Sequence, residues 1–231
     1  MQSFHKTGDT NLIKVIIFDL DGTLCDTIED IRTAINAMLT KLGYKTRSRQ
    51  EVLKSINNGA KELVRRCLPR DVQKVDFIVD SALEIYASEY AKCYCEKTKP
   101  FDGIKALLME LKGQGYKLAV LSNKQDDFVK HMVGKLFDKS FFNVAMGQRD
   151  FPTKPNPASA IAIARQLGAR PDKCVIIGDS DVDVATAINA QMHIIGVSWG
   201  YRDEAILREA GALNIAHSPE EILTILDEFN S

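Results

Sequence analysis

Long apolar runs are missing from this sequence of 231 residues. No stretch approaches the roughly 20 apolar residues of a membrane-spanning helix. The first residues, MQSFHKTGDTNLIK, have no apolar centre of the kind that signal peptides carry. A basic excess is missing as well, because 30 Lys and Arg residues nearly match 31 Asp and Glu residues. We therefore predict a cytoplasmic protein that binds neither a membrane nor nucleic acid.

The sequence also has no cysteine or histidine pattern for a disulfide framework or a zinc site. Its five cysteines are odd in number and irregularly spaced, and Cys93-Tyr94-Cys95 lacks the two-residue gap and the second pair of a zinc motif. None of the four histidines has a metal-ligand partner at helical spacing. Free thiols in a reducing compartment are the better interpretation.

Five short apolar runs predict strands that are buried on both faces, because they are continuous and β-branched rather than alternating. They cover 14–19, 117–122, 142–146, 174–179 and 193–197. Apolar stripes of helical spacing lie between them, as at 104–111 and 160–167. His193, at the start of one run, is interpreted as a core residue. This alternation predicts an α/β fold, a Rossmann-like parallel sheet wrapped by helices.

The segment from about 27 to 97 contains no strand-like run. Two helical stripes, at 28–42 and 75–94, indicate that it is helical. About seventy residues are too many for a connection between a strand and a helix, which is normally a few residues long. We predict an inserted α-helical cap at 26–97, with the α/β core formed by 1–25 and 98–231.

Carboxylates follow the first predicted strand in the motif DLDGTL, which covers 19–24. An Asp-Gly turn would explain Asp21, but not Asp19 at the end of a buried apolar strand. Two carboxylates this close repel each other unless a cation or a proton lies between them. Ligands of open parallel sheets also bind at the carboxyl ends of the strands. The motif therefore indicates a functional site.

A second acidic motif, GDSDVD at 178–183, follows another predicted strand. Ser180 or Asp181 could cap a helix, which leaves Asp179 unexplained. If a helix begins near Asp181, Asp183 can face the same site as Asp179. Oxygen ligands without a plausible His or Cys site favour Mg²⁺ over zinc.

Two further polar elements follow strands. Ser122-Asn123 could cradle an anion at a helix start, and a helix cap explains the pair equally well. Lys154 stands in the sequence TKPNP, where two prolines stiffen the backbone. A lysine held in this way is interpreted as a charge aimed at the site rather than a solvated side chain.

The motifs DLDGTL, LSN, KPNP and GDSDVD, in this order, resemble those of the haloacid dehalogenase superfamily of phosphohydrolases. The resemblance covers essentially the whole chain. It implies that Asp19 is the nucleophile and Asp21 the general acid and base. It further implies phosphoryl binding by Ser122, Asn123 and Lys154, magnesium ligation by Asp19, Asp179 and the Asp21 carbonyl, and support of the metal shell by Asp183.

Residues 56–64, INNGAKELV, look like the substrate loop of phosphoglycolate phosphatases, and the WGYR stretch at 199–202 is also similar to theirs. The resemblance implies that Asn58, Gly59 and Lys61 contact the substrate, although a turn between helices explains these residues equally well. Gln191 departs from the pattern, since relatives usually have glycine at this position, which suits a left-handed backbone.

The resemblance implies an Mg²⁺-dependent phosphatase that hydrolyses a small phosphorylated metabolite through an aspartyl phosphate, as a monomer or homodimer. Phosphoglycolate is the leading candidate substrate. The counterpart of Asp21 is absent from dehalogenases and phosphonate-cleaving members of the superfamily, so its presence favours phosphate esters. A sugar-phosphate mutase or a pyrophosphatase is the alternative. A non-catalytic phosphate-binding module is less expected, because a binder need not keep the acid and base.

Overall fold

The computed structural model describes residues 12–231, so the prediction about a signal peptide falls mostly on residues outside the described range. The strands are β1 Val15–Phe18, β2 Cys25–Asp26, β3 Lys99–Pro100, β4 Lys117–Gln125, β5 Val144–Gln148, β6 Cys174–Gly178, β7 His193–Val197 and β8 Ile215–Ala216. The helices are α1 Ile28–Lys41, α2 Arg49–Ser55, α3 Ala60–Cys67, α4 Asp76–Cys93, α5 Ile104–Gly113, α6 Asp126–Leu136, α7 Ala158–Gln166, α8 Asp181–Ala190, α9 Glu204–Glu209 and α10 Glu221–Phe229.

Six strands form one parallel sheet in the order β5-β4-β1-β6-β7-β8. The predicted α/β fold with a parallel sheet is confirmed, and each of the five apolar runs overlaps a strand, although β4 and β5 extend beyond their runs. The sixth strand, β8, has two residues, which is too short for an apolar run to reveal. Strand β1 lies between β4 and β6, with Phe18 level with Val120 and Ile177. The carboxyl ends of these three strands therefore meet at one edge.

Both faces of the sheet are buried, which explains why its strands are continuously apolar. Ile16 and Phe18 pack on the face that α5, α6 and α10 cover, whereas Val15 and Ile17 pack on the face covered by α7 and α8. All four side chains of β1 are completely buried. The strand that carries the first acidic motif is thus held at the centre of the core.

Helices α1–α4 pack around an apolar cluster of their own, to which α1 and α4 contribute most. The chain enters and leaves this helical segment through the antiparallel pair β2–β3, where Cys25 lies opposite Pro100 and Asp26 opposite Lys99. Beside this pair the buried carboxylate of Asp30 accepts hydrogen bonds from the backbone N–H groups of 97 and 98. We refer to α1–α4 as the cap; its boundaries at 26 and 97 stay a prediction.

Three smaller expectations have different outcomes. All five cysteines are free and buried. Within residues 12–231, no helix combines the length and the apolar character needed to cross a membrane. The interpretation of His193 as a core residue is wrong: its side chain is exposed and lies against the ring of Phe229, with the ring centroids 4.9 Å apart. The strand begins with His193 at the rim of the sheet, where burial is not required.

Candidate active site

A cavity of about 580 Å³ lies between the carboxyl ends of β1, β4 and β6 and the cap. Its core side includes residues that directly follow β1 and β6 and the last residues of β4, which extends to Gln125 and so contains Ser122 and Asn123, and its cap side includes residues of α3, α4 and the loop before α3. The polar residues that follow separate strands in the sequence therefore face one shared space, because parallel strands end at the same edge of the sheet.

Three buried carboxylates meet on the core side of the cavity. Asp19, Asp179 and Asp183 each place an oxygen within 4.8 Å of the others. Asp19 follows β1 and donates its backbone N–H to the Ile177 carbonyl at 2.9 Å, which joins the first motif to the neighbouring strand β6. Asp179 follows β6 directly, and Asp183 lies in the first turn of α8. The strand register thus brings together two motifs that are 160 residues apart in the chain.

Lys154 supplies the positive charge of this cluster. Its Nζ lies 2.6 Å from Asp19 Oδ1 and 2.6 Å from Asp183 Oδ1, and the lysine is buried. Asn123 holds the lysine from behind: its side-chain oxygen accepts the Lys154 backbone N–H at 2.7 Å, and its side-chain nitrogen donates to the Lys154 carbonyl at 3.0 Å. Asn123 therefore fixes the lysine loop, and the phosphate contact that the resemblance implies for it stays a prediction.

The start of helix α8 orients Asp183. Ser180 caps the helix by accepting the Asp183 backbone N–H at 3.3 Å, and its hydroxyl donates to Asp183 Oδ2 at 2.6 Å. The other oxygen of Asp183 receives Lys154. Both carboxylate oxygens of Asp183 thus have partners from the protein, as expected for a residue that supports the metal ligands rather than binds the metal itself.

Two glycines permit the close packing around Asp179. A Cβ atom on Gly22 or on Gly200 would overlap the Asp179 side chain, and Gly22 has a φ of 91°. The carboxylate is also held by hydrogen bonds, from Thr23 Oγ1 at 3.2 Å and from the Tyr201 backbone N–H at 2.7 Å. Asp179 is therefore fixed from two loops before any ligand arrives.

Burial of these carboxylates close to one another makes their ionisation unfavourable. Burial raises the pKa of Asp19 well above its usual range, although Lys154 acts in the opposite direction. Burial and the charge of Asp183 raise the pKa of Asp179 to about 7. Burial alone would lower the pKa of Lys154, but the carboxylates of Asp183 and Asp19 outweigh it and raise that pKa.

A hard divalent cation fits this cluster. With all three carboxylates ionised and Lys154 protonated, two negative charges remain unbalanced in a buried space, which is the charge of one divalent ion. The donor atoms are all carboxylate oxygens, the ligands that hard cations prefer. Asp19 and Asp179 would hold the ion, with Asp183 behind them.

Asp21 lies at the side of the cavity nearest the cap. Its Oδ1 accepts a hydrogen bond from Thr27 Oγ1 at 2.6 Å and lies 2.9 Å from Lys124 Nζ. Ser122 is buried, lines the cavity and accepts the Lys124 backbone N–H at 3.2 Å. Lys124 and Thr27 were missed from the sequence. Lys124 directly follows the predicted pair Ser122-Asn123, and that adjacency was the available signal.

Asn58, Gly59 and Lys61 line the cap side of the cavity, the first two in the turn between α2 and α3 and Lys61 in the first turn of α3. Asn58 has a left-handed φ of 64°, and Gly59 is the N-cap residue of α3. Lys61 pairs with Asp80 at 2.5 Å and keeps 45% of its side chain exposed. The structure brings these residues to the cavity without giving them the dense contacts of the core side.

The WGYR stretch at 199–202 connects the core side to the cap. The Tyr201 hydroxyl accepts the Thr27 backbone N–H at 2.7 Å, beside the point where the chain enters α1. Arg202 donates to the Leu53 carbonyl at 2.9 Å and to the Ile56 carbonyl. The loop that donates a backbone N–H to Asp179 thus also holds the cap.

Comparison with known proteins identifies the family. The family model of haloacid dehalogenase-like hydrolases matches residues 16–197. A phosphoglycolate phosphatase of Psychrobacter arcticus is 30% identical over 93% of this chain and 94% of its own length, and one of Pseudomonas putida is 31% identical over 87% and 75%. A crystal structure from Lactobacillus delbrueckii subsp. bulgaricus, for which phosphoglycolate phosphatase activity is itself a prediction, has a TM-score of 0.87 at 31% identity and covers 93% of this chain and 98% of its own. This chain belongs to the haloacid dehalogenase-like hydrolases.

Proposed function

We propose that the protein is an Mg²⁺-dependent phosphatase that hydrolyses small phosphomonoesters through a phosphoaspartate on Asp19. One observation carries the proposal: the buried Asp19 carboxylate contacts Lys154 and lies within 4.8 Å of two further carboxylates at the core side of a cavity. A nucleophile in this position has its own negative charge compensated, which it needs in order to approach an anionic phosphoryl group.

Asp19 attacks phosphorus, the bond from phosphorus to the ester oxygen breaks, and the phosphoryl group passes to the aspartate. Bound Mg²⁺ supplies charge neutralisation for the phosphoryl oxygens and the carboxylate. Lys154 and Ser122 bind phosphoryl oxygens, while Asn123 keeps the lysine in place. Attack by water then releases inorganic phosphate and restores Asp19.

Asp21 serves both half-reactions. It protonates the departing alkoxide, and the carboxylate so formed takes a proton from the attacking water. Its place in the cavity supports this role, two residues from the nucleophile and on the side toward the cap. The hydrogen bond from Thr27 joins Asp21 to the start of α1, so the position of the acid depends on the point where the chain enters the cap.

Phosphoglycolate is the leading candidate substrate. Two relatives that are 30–31% identical over most of this chain carry that activity in their names. The cavity of about 580 Å³ admits a molecule of this size together with water. We propose that Asn58, Gly59 and Lys61 contact the substrate from the cap. The protein needs no nucleic acid or membrane for this reaction, and a monomer or homodimer stays our prediction for its assembly.

The test is phosphate release from a panel of small phosphorylated metabolites, pyrophosphate among them, with and without Mg²⁺. We expect release from phosphoglycolate that EDTA abolishes and added Mg²⁺ restores. A sugar-phosphate mutase would instead convert one phosphate ester into another and release little phosphate. No phosphate release from any member of the panel would refute the proposal.

A further inference from the structure

We propose that Lys124, supported by Tyr90, binds a carboxylate on the leaving group, so that the enzyme selects phosphomonoesters with an acidic group close to the ester oxygen. This inference rests on the proposed phosphatase function and specifies its substrate class. It gives a role to Lys124, which lines the cavity and to which neither the sequence motifs nor the cap resemblance assigns one.

Lys124 is built into the boundary between the core and the cap. It lies near the end of β4, and only 9% of its side chain is exposed. Its Nζ lies 2.7 Å from the Tyr90 hydroxyl and 4.8 Å from the centre of the Tyr90 ring, on cap helix α4. A protonated lysine has three N–H groups, and among residues 12–231 Asp21 and Tyr90 are its two oxygen partners. One N–H therefore remains for a ligand.

The position of Lys124 relative to Asp21 identifies the part of the substrate that it meets. Asp21 must reach the ester oxygen in order to protonate the leaving group. Lys124 Nζ lies 2.9 Å from Asp21 Oδ1, so it lies beside the atoms that are attached to that oxygen. In a glycolate ester the carboxylate carbon is two bonds from the ester oxygen. A carboxylate at that place is within reach of Lys124, while the phosphoryl group faces Lys154.

The other cations at the cavity are less suited to this contact. Lys154 is engaged by two carboxylates next to the nucleophile, and Arg202 by backbone carbonyls of the cap. Lys61 and Arg149 keep 45% and 37% of their side chains exposed, where ion pairs contribute little. Lys124 is thus the buried cation on the leaving-group side among the described residues.

The surroundings of Lys124 strengthen a charge interaction. The cavity lining from α4 and α6 is largely apolar and includes Leu83, Tyr86, Ala87 and Phe128. Charges attract each other more strongly where water is excluded, and a charge-assisted hydrogen bond is about twice as strong as a neutral one. A carboxylate that reaches this lining finds its one strong partner in Lys124. A neutral hydroxyl at the same place would form a much weaker hydrogen bond with Lys124.

The experiment compares two substrates that differ only in the acidic group: 2-phosphoglycolate and 2-hydroxyethyl phosphate. We expect the wild-type enzyme to favour phosphoglycolate in kcat/KM by at least about 20-fold, the scale of one hydrogen bond to a charged group. Lys124→Met, which keeps the length of the side chain and removes its charge, should bring the ratio to within about threefold of unity. Lys124→Arg should keep part of the preference, and Lys92→Met, at an exposed position of the cap away from the cavity, should keep all of it.

Equal losses on both substrates in Lys124→Met would overturn the inference, because they would mean that Lys124 acts only through Asp21 or through the cap. A wild-type preference for 2-hydroxyethyl phosphate would overturn it as well. If neither ester releases phosphate, phosphoglycolate fails as the leading candidate substrate, and calorimetric binding then decides the inference separately. Asp19→Asn protein should bind phosphoglycolate at least about 10-fold more tightly than Asp19→Asn/Lys124→Met protein. Equal affinities would refute the role of Lys124.

Discussion

The core side and the cap side of the cavity are built in opposite ways. On the core side, Asp19, Lys154 and Asp179 are buried, and hydrogen bonds from two or more elements fix each one. On the cap side, Lys61 is half exposed, and Asn58 has a left-handed backbone in a turn. We interpret the difference as a division of roles, in which the core side carries the reaction, whereas the cap and its boundary with the core, where Lys124 meets Tyr90, select the substrate. The following predictions test this division.

The largest effect should come from Asp19→Asn on the core side. The amide is nearly the same size as the carboxylate but is not a nucleophile, so we expect kcat to fall by about 10⁴-fold or more. The measurement is Mg²⁺-dependent phosphate release, with circular dichroism to show that the fold is kept. Phosphate release at the wild-type rate would remove Asp19 from the mechanism.

Asp179 should make the metal-free protein less stable as the pH rises. The pKa of Asp179 is about 7 in the folded protein, against 3.8 as the ordinary value, so the folded state binds its proton more tightly. The stability that this proton contributes is fully present below about pH 4 and is lost as the pH rises through about 7. Between pH 5 and pH 8 we expect a loss of roughly 2 kcal/mol in unfolding free energy from this group.

Asp179→Asn should remove this part of the pH dependence, which denaturant unfolding in EDTA at several pH values can measure. Mg²⁺ binds the ionised carboxylates, so at pH 8 it should stabilise the wild-type protein by roughly 2–3 kcal/mol at about 100 times its dissociation constant. The Asn variant should gain much less. Equal pH dependence and equal response to Mg²⁺ in the two proteins would contradict the assignment of Asp179.

An intermediate effect should come from Ser180→Ala. Ser48→Ala is its matched control, because each serine is the N-terminal capping residue of a helix, one on the core side and one on the cap side. Ser180 caps α8 and holds Asp183, and Ser48 forms the same kind of capping box with Glu51 on α2 of the cap. Each alanine variant should lose about 1 kcal/mol of stability. Only Ser180→Ala should also lower kcat, by about 3- to 10-fold, since Asp183 becomes free to turn away from Lys154. Equal kcat values in the two variants would show that the capping of α8 by Ser180 does not affect catalysis.

The smallest effect should come from Lys61→Ala on the cap side. A half-exposed lysine paired with a surface carboxylate contributes little, so we expect KM to rise about threefold with kcat nearly unchanged. Lys92→Ala is the matched control, because Lys92 forms an exposed ion pair with Glu89 elsewhere in the cap. A kcat that falls more than KM rises would place Lys61 in the chemical step and weaken the division between the two sides.

The core side was largely predictable from the sequence because its determinants are local. A buried apolar strand followed by carboxylates gives both the end of the strand and the direction of the side chains, as for Asp19 and Asp179. The left-handed backbone predicted at Gln191 also follows from a local feature, the end of a helix. Gln191 has φ 56° and ψ 41° at the end of α8. Glycine at this position would avoid the steric cost that a left-handed Gln191 carries.

The cap side was less predictable because its contacts join residues far apart in the chain. Tyr90 meets Lys124 only after α4 folds back over β4, and Arg202 meets Leu53 across 149 residues. Neither pair leaves a periodic or local pattern in the sequence. The error at His193 has a related cause, since the exposure of a strand's first residue depends on what covers the rim of the sheet.

The contacts of the 199–202 loop restrict the exchange of this cap for the cap of another protein. The Tyr201 backbone N–H donates to Asp179 after β6, and the Tyr201 hydroxyl accepts the Thr27 N–H before α1. Arg202 donates to two backbone carbonyls at the end of α2. A cap transplanted from another protein would have to present two carbonyls where Leu53 and Ile56 present theirs. The two halves are therefore not interchangeable modules, and a successful graft would carry this loop along with the cap that it was matched to.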